Sequence, residues 1–402
     1  MVKKLSLTAK IGIALILGVI AGMVFGEGAV SYVRPVGQIY LNLIKTVVIP
    51  VVTFSIILGV VSLEDVKKVG RLGLRTVAFF LCTTAIAVTL GLLLANLLGA
   101  GVGFHSDAQN QVTSQIAPVD FGETLINIFP ANILAPFAEG AMLPVIVIAI
   151  LVGFGILLTG EQGRLLRSAA EALNAVFMRI MELVIRISPI GVFALIFPVV
   201  AQQGLRVLLP LLKVIIICYL AYGIHMTVVY AGAVAAFGRI SPLRFFKEMG
   251  KPILFGFSSA SSVGALPFNL EATGRLGVSS EVSGFVLPLG TTINMDGTAI
   301  YQGVCAVFIA RAFGMELTMA QQLSVVLTSV LASIGTAGAP GSGMIMLAMV
   351  LQSAGLPVEG IALVAGIDRI LDMGRTVVNI TGDAACSVVV QAALGRKVKK
   401  TK

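Results

Sequence analysis

The chain alternates long apolar stretches with short polar connectors. Apolar runs occupy residues 11–25, 36–63, 72–98, 121–158, 169–200, 205–237, 278–313 and 358–394. They are of helix length, not the ten-residue alternating strands of a membrane barrel. In lipid every backbone polar group must be satisfied internally. The pattern therefore predicts an all-α membrane protein with eight transmembrane helices. Several runs exceed the roughly 20 residues that one crossing needs, so tilts, kinks or breaks are expected.

Two further stretches, 253–272 and 317–352, are apolar but rich in Gly and Ser. The first is punctuated by SSASSVGALP (258–267) and the second by GTAGAPGSG (335–343). Each half is too short to span, which predicts two re-entrant helical hairpins. Irregular backbone at membrane depth is tolerated only when buried in protein or lining a cavity. Paired interrupted elements point to a binding site built from inverted repeats.

Composition sharpens this picture. The 402 residues are 57% hydrophobic and 12% charged, against roughly 25% charged in soluble domains. The net charge of +9 lies mainly in short loops, where it sets topology and forms no nucleic-acid patch. Basic residues at Lys3, Lys4, Lys10, Lys67, Lys68, Arg71, Arg75, Arg164, Arg167, Arg239, Arg244, Lys247, Lys251, Arg275, Arg396, Lys397, Lys399 and Lys400 place both termini in the cytoplasm of a multi-pass cell-membrane protein. The first hairpin then enters from the cytoplasm and the second from outside. Arg34, Arg206 and Arg311 depart from the pattern. The apolar start is expected to be a first span, not a cleaved leader. Cys82, Cys218, Cys305 and Cys386 lack metal or disulfide spacing, and His105 and His225 lack a metal-ligand neighbourhood.

The last run carries the most chemistry. Asp368, Asp372, Arg375, Asn379 and Asp383 are spaced 4, 3, 4 and 4. On a helix they fall within about 80° of one another, in a stripe about 22 Å long. Ionisable groups at a membrane helix centre cost at least ~2.5 kcal/mol each, so they should face the interior and be partnered. A self-satisfied Asp372–Arg375 ladder would explain one pair but not the other acids. Arg375 has a planar fork suited to a carboxylate, and Asp372, one turn away, suits an ammonium. Together they describe a receptor for an acidic amino acid. Arg369 lies about 100° off the stripe and is expected to pair with Asp368 or face another element.

The segment TTINMDGTAIYQG (291–303) interrupts the seventh run. Asn294 and Asp296 beside Gly297 predict unwound backbone whose hard oxygens suit Na⁺. The hairpin tips offer backbone N–H groups and half-helix N-termini to an anion. Glycines and Pro340 would let the second tip move as a lid.

The serine-rich first hairpin, NMDGT, GTAGAPG and DMGRTVVNITGD together resemble the dicarboxylate/amino acid:cation symporter family. This family includes bacterial and archaeal aspartate and glutamate transporters and the excitatory amino acid transporters. The match covers essentially the whole chain. The resemblance implies a homotrimeric, elevator-type transporter. Its scaffold would be residues 1–71 and 119–200, and its transport domain residues 72–100 and 205–397. It also implies substrate contacts at Ser262, Thr298, Gly343, Asp372, Arg375 and Asn379, with hairpin backbone at Ala260 and Ala339. One Na⁺ would sit among Gly290, Asn294, Asn379 and Asp383, and a second among Thr292, Met295, Ser333 and Thr336. A third would use Thr83, Thr84, Asn294, Asp296 and the Phe80 carbonyl. Sodium is implied as a co-transported ion, with no organic cofactor.

Departures from the family bear on coupling. Relatives carry Arg or Ser where Ala260 stands and Ser where Val263 stands, so an Arg near the substrate is missing from the first hairpin, and Arg369 is the candidate to replace it. Gln302 stands where eukaryotic relatives place a proton-carrying Glu. Keeping both Asp372 and Arg375 separates the chain from dicarboxylate and neutral amino acid carriers respectively. Rival readings are a proton-coupled, neutral or dicarboxylate member, an ion channel, and an intramembrane aspartyl protease pairing Asp296 with Asp383. The protease signature needs Gly-x-Gly-Asp, and the sequence here is ITGD (380–383).

Overall fold

A computed structural model describes residues 7–104, 126, 129–139, 141–204, 208–334 and 342–394, and these are helices and their connections. Helix α1 (Leu7–Phe25) turns back at Gly26 into α2 (Val30–Val69). Helix α3 (Arg71–Leu97) follows, and after a short helix at Ala135–Glu139 come α4 (Met142–Thr159), α5 (Arg164–Arg186) and α6 (Ser188–Gln203). The sixth span, α7 (Leu208–Ile224), continues through a π-helical turn, His225–Tyr230, into Ala231–Ala236.

Four described stretches are long and apolar enough to cross a membrane: Leu72–Leu97, Pro144–Ile180, Leu208–Ala236 and Asp368–Ala393. A fifth is added if the pair Gly12–Phe25 and Glu27–Tyr40, bent by 112°, counts as one span. The eight expected from the sequence also draw on pieces that a length test passes over. The 40-residue α2 carries charges along with Pro35 and Pro50, and the seventh span is broken at its middle. Two expected boundaries shift. The 121–158 run is not one helix: residues 131–134 are bends, and α4 starts at Met142. The 169–200 run breaks at Ile187, because Pro189, in the first turn of α6, has no N–H for the carbonyl four residues back and its ring clashes with that carbonyl, so α5 cannot run on through it.

Both hairpins form. The first pairs α8 (Gly250–Ser259) with α9 (Ser262–Arg275) across a tip at Ala260–Ser261. Ala260 adopts left-handed backbone, φ 51° and ψ 42°, which a residue with a Cβ does at a cost. The Ser261 hydroxyl caps α9 by accepting from the Gly264 N–H at 3.1 Å. The second hairpin pairs α12 (Met319–Ser333) with α13 (Ser342–Ser353). Its arms are joined near the base. Gln321 donates to the Ala354 carbonyl, Ser324 to the Ser353 carbonyl and Thr328 to the Ser353 hydroxyl, at 2.8–2.9 Å. The tip, residues 335–341, with Thr336, Ala339 and Pro340, lies outside the described residues.

Between the hairpins lies the seventh span, α10 (Ser280–Ile293) and α11 (Asp296–Ala312). The last described helix is α14 (Asp368–Ala393), which packs against α10, α11 and both arms of the first hairpin. Buried apolar side chains form two main clusters. The larger joins α3, α7, both hairpins, α10, α11 and α14. The other joins α2, α4, α5 and the second hairpin.

Candidate functional site

The polar stripe of α14 is buried throughout. Asp368, Asp372, Arg375, Asn379 and Asp383 are each 6% exposed or less. The seventh span unwinds where the sequence placed the break: Asn294 is extended and Met295 non-helical before α11 begins at Asp296. Four side chains, Asn294, Met295, Asn379 and Asp383, stitch this break to α14. Asn294 Nδ2 donates to the Asn379 carbonyl and to Asp383 Oδ1, both at 2.8 Å. Asn379 Oδ1 accepts from the Gly297 N–H at 2.8 Å, and its Nδ2 contacts Met295 Sδ at 3.4 Å. Gly290 lies so close that a Cβ there would overlap the Asp383 carboxylate.

These bonds leave two oxygens over. Asn294 Oδ1 and Asp383 Oδ2 are buried with no hydrogen-bond partner. An unpaired buried acceptor is costly, and a hard cation relieves such cost by ligation with oxygens. The donor set at Gly290, Asn294, Asn379 and Asp383 thus fits Na⁺. The Asp296 cluster is arranged differently. Thr84 donates to Asp296 Oδ1 at 2.6 Å, Tyr230 donates to Oδ2 at 2.7 Å, and His225 Nε2 lies 3.1 Å from Oδ2. Thr83 donates to the Phe80 carbonyl at 3.2 Å. In the remaining ion set, Thr292 and Ser333 bond carbonyls of their own helices, and the Thr298 hydroxyl lies 3.9 Å from Met295 Sδ.

Arg375 occupies the stripe's centre at 1% exposure. Its Nη1 donates to Asp368 Oδ1 at 2.9 Å, and its Nη2 lies 2.9 Å from Asp372 Oδ1. The guanidinium rests over the Tyr301 ring, 4.3 Å from its centroid. A Cβ on Gly343, at the start of the second hairpin's return arm, would overlap this guanidinium. The arginine is therefore held by two carboxylates, where the sequence weighed only Asp372. Arg369 also differs from one expectation. It pairs with Asp372 at 3.4 Å, not Asp368, and donates to the Ser259 carbonyl at the first hairpin's tip at 3.3 Å. Ser262 and Ala260 are buried beside that tip. Arg369 and Arg375 pair with Asp372 and Asp368; counted together with Asp296 and Asp383, and with every carboxylate ionised, the groups sum to a formal charge of minus two.

His225, Tyr230 and Tyr301 are members that the sequence did not place, and Asp368, read as one acid of the stripe, was not singled out as a partner of Arg375. His225 and Tyr230 are five residues apart in an apolar span, a spacing that no helical template reads as one face. Gln302 is buried with both amide atoms unpartnered.

A family model for the sodium:dicarboxylate symporter family matches residues 7–393. A proton/sodium-glutamate symport protein of Bacillus subtilis is 38% identical over 96% of this chain and 92% of its own length. One from Geobacillus stearothermophilus is 37% identical over 96% and 94%. The proton/glutamate-aspartate symporter of Escherichia coli is 32% identical over 96% and 92%.

Proposed function

Since this chain belongs to the sodium:dicarboxylate symporter family, we propose that it is a secondary active symporter for acidic amino acids, aspartate or glutamate, driven by a sodium gradient. One observation carries the reading. Unpaired buried oxygens of Asn294 and Asp383 lie in the same bonded network as Asn379, one turn along α14 from Arg375. Cation ligands and a carboxylate receptor thus share one helix face and one break.

In this reading the substrate's side-chain carboxylate meets Arg375, competing with Asp368 for Nη1. Its ammonium meets Asp372, and its backbone carboxylate meets the hairpin tips near Ser262 and Ala339. Asn379 serves both ligands, through its carboxamide and its carbonyl. Sodium at Asn294 and Asp383 fixes the break against α14 and so prepares the receptor, which couples the two bindings. Thr298, Gly343 and Gly290 complete the walls. The other ion sets, around Asp296 and around Met295, belong to the same proposal. So do the division into scaffold and transport domain, elevator-type movement, a homotrimer and a cell-membrane location with both termini cytoplasmic.

The test is uptake of labelled aspartate into vesicles holding the purified protein. An inward sodium gradient should drive accumulation, and Asp383→Asn should abolish it. Accumulation driven by a pH gradient without sodium would reject sodium coupling.

A further inference from the structure

Two buried polar side chains with no part in substrate or ion contact converge on one oxygen. Asp296 Oδ2 accepts from Tyr230 at 2.7 Å and faces His225 Nε2 at 3.1 Å. Asp296, His225, Tyr230 and Thr84 are all 0% exposed. An ionised carboxylate only accepts, so His225 presents Nε2–H to it. The other ring nitrogen, Nδ1, has no partner. The His225 ring stands edge-on to the Tyr230 ring, with centroids 4.7 Å apart.

This convergence depends on local backbone. Five residues along an α-helix turn the chain by about 500°, leaving the first and last side chains about 140° apart. His225–Tyr230 is instead a π-helical turn. With i→i+5 bonding each residue turns about 80°, and residues five apart return to within about 40° of each other. The departure from α-helix is what lets both donors reach Oδ2. Such turns are rare and are frequently found at functional sites.

We propose that the π-helical turn His225–Tyr230 is a positioning device for the cation-coupling carboxylate of Asp296. This rests on the sodium-symport reading. Two donors from the π-helical turn fix Oδ2, so the carboxylate cannot swing and Oδ1, beside Thr84, becomes the oxygen offered to the ion. His225 and Tyr230 touch neither substrate nor ion; they act through Asp296. A merely structural pair would hold α7 against α11 and leave ion affinity alone.

The two roles separate in sodium titrations of the purified full-length protein. The readouts are melting temperature without substrate, with choline replacing sodium, and aspartate binding at saturating sodium. Tyr230→Phe removes one oxygen and keeps the ring. His225→Leu removes the imidazole donor, and His225→Gln restores an N–H near the Nε2 position. Tyr230→Phe and His225→Leu should each raise the sodium midpoint about tenfold, the scale of one charge-assisted hydrogen bond. His225→Gln should return it to within about twofold of wild type. Aspartate affinity at saturating sodium should stay within about twofold, a change small against the tenfold step. Unchanged midpoints in Tyr230→Phe and His225→Leu would overturn the proposal while leaving the symport reading intact. So would an aspartate affinity that falls as far as the sodium midpoint rises. A wild type without any sodium response would instead remove the symport reading, and this proposal with it.

Discussion

Replacing Arg375 by Thr tests the substrate assignment most directly. The guanidinium is 1% exposed and carries two carboxylate contacts at 2.9 Å. Removing one partner of a buried ion pair costs roughly 3–5 kcal/mol. If a substrate carboxylate is the group left unpaired, aspartate affinity should fall by about 10² to 10³ or more, at 1.4 kcal/mol per tenfold. The same change also strands Asp368, whose one described guanidinium bond is to Arg375, and weakens the hold on Asp372, which keeps Arg369 at 3.4 Å. Loss of stability could then imitate loss of affinity. The double variant Arg375→Thr/Asp368→Asn separates the two, because the neutral amide carries no stranded charge. Sodium-dependent binding of aspartate and serine, measured by calorimetry, is the assay. Both variants should bind aspartate at least about 100-fold more weakly, with serine gaining relative to aspartate and remaining sodium-dependent. A double variant that melts like wild type and keeps aspartate affinity within a few-fold would refute the argument. Arg375 would then be a structural partner of Asp368 and Asp372.

Two other substitutions probe the walls of the same site. Gly343→Ala puts a methyl group into the Arg375 guanidinium, which Asp368 and Asp372 prevent from retreating; aspartate affinity should drop about tenfold or more, one pair's worth of lost geometry, with the sodium midpoint unmoved in the same titration. Arg369→Gln removes the bond from α14 to the Ser259 carbonyl; because that side chain is partly exposed, the effect on aspartate binding should stay within about tenfold, while a cysteine placed at Ser261 should label faster with a water-soluble maleimide.

The sequence exposed those parts of the site that lie on one element. The α14 stripe follows from helical spacing alone, and the Asn294–Met295 break from two polar residues and a glycine in an apolar run. What it hid depends on contacts between elements. Asp368 was read as one more acid on the stripe, since spacing shows which residues share a face but not which one the arginine fork selects. Tyr301 sits in the same segment as Asp296, yet only packing of α11 on α14 brings its ring under Arg375. His225 and Tyr230 were invisible because the π-helical turn changes the angular step on which the reading relied. In the fold, the misplaced boundaries at Met142 and Ile187 share a cause. Hydropathy continues through prolines and bends that end a helix, so an apolar run overstates the length of the element inside it.

The formal charge of the buried cluster has an electrical consequence. Counted with every carboxylate ionised, two guanidinium groups and four carboxylates sum to minus two, in a region where each elementary charge moved across the membrane field is worth about 2.3 kcal/mol per 100 mV. In the proposed symport an acidic amino acid brings a further negative charge, which co-transported cations offset. In the proposed cycle the protein's own charges move out and back and cancel. The current per turnover is then set by cations in excess of the substrate's charge, and a partly loaded site remains an uncompensated anion in low dielectric. Slippage without cargo is opposed by the same electrostatics that attract the ions.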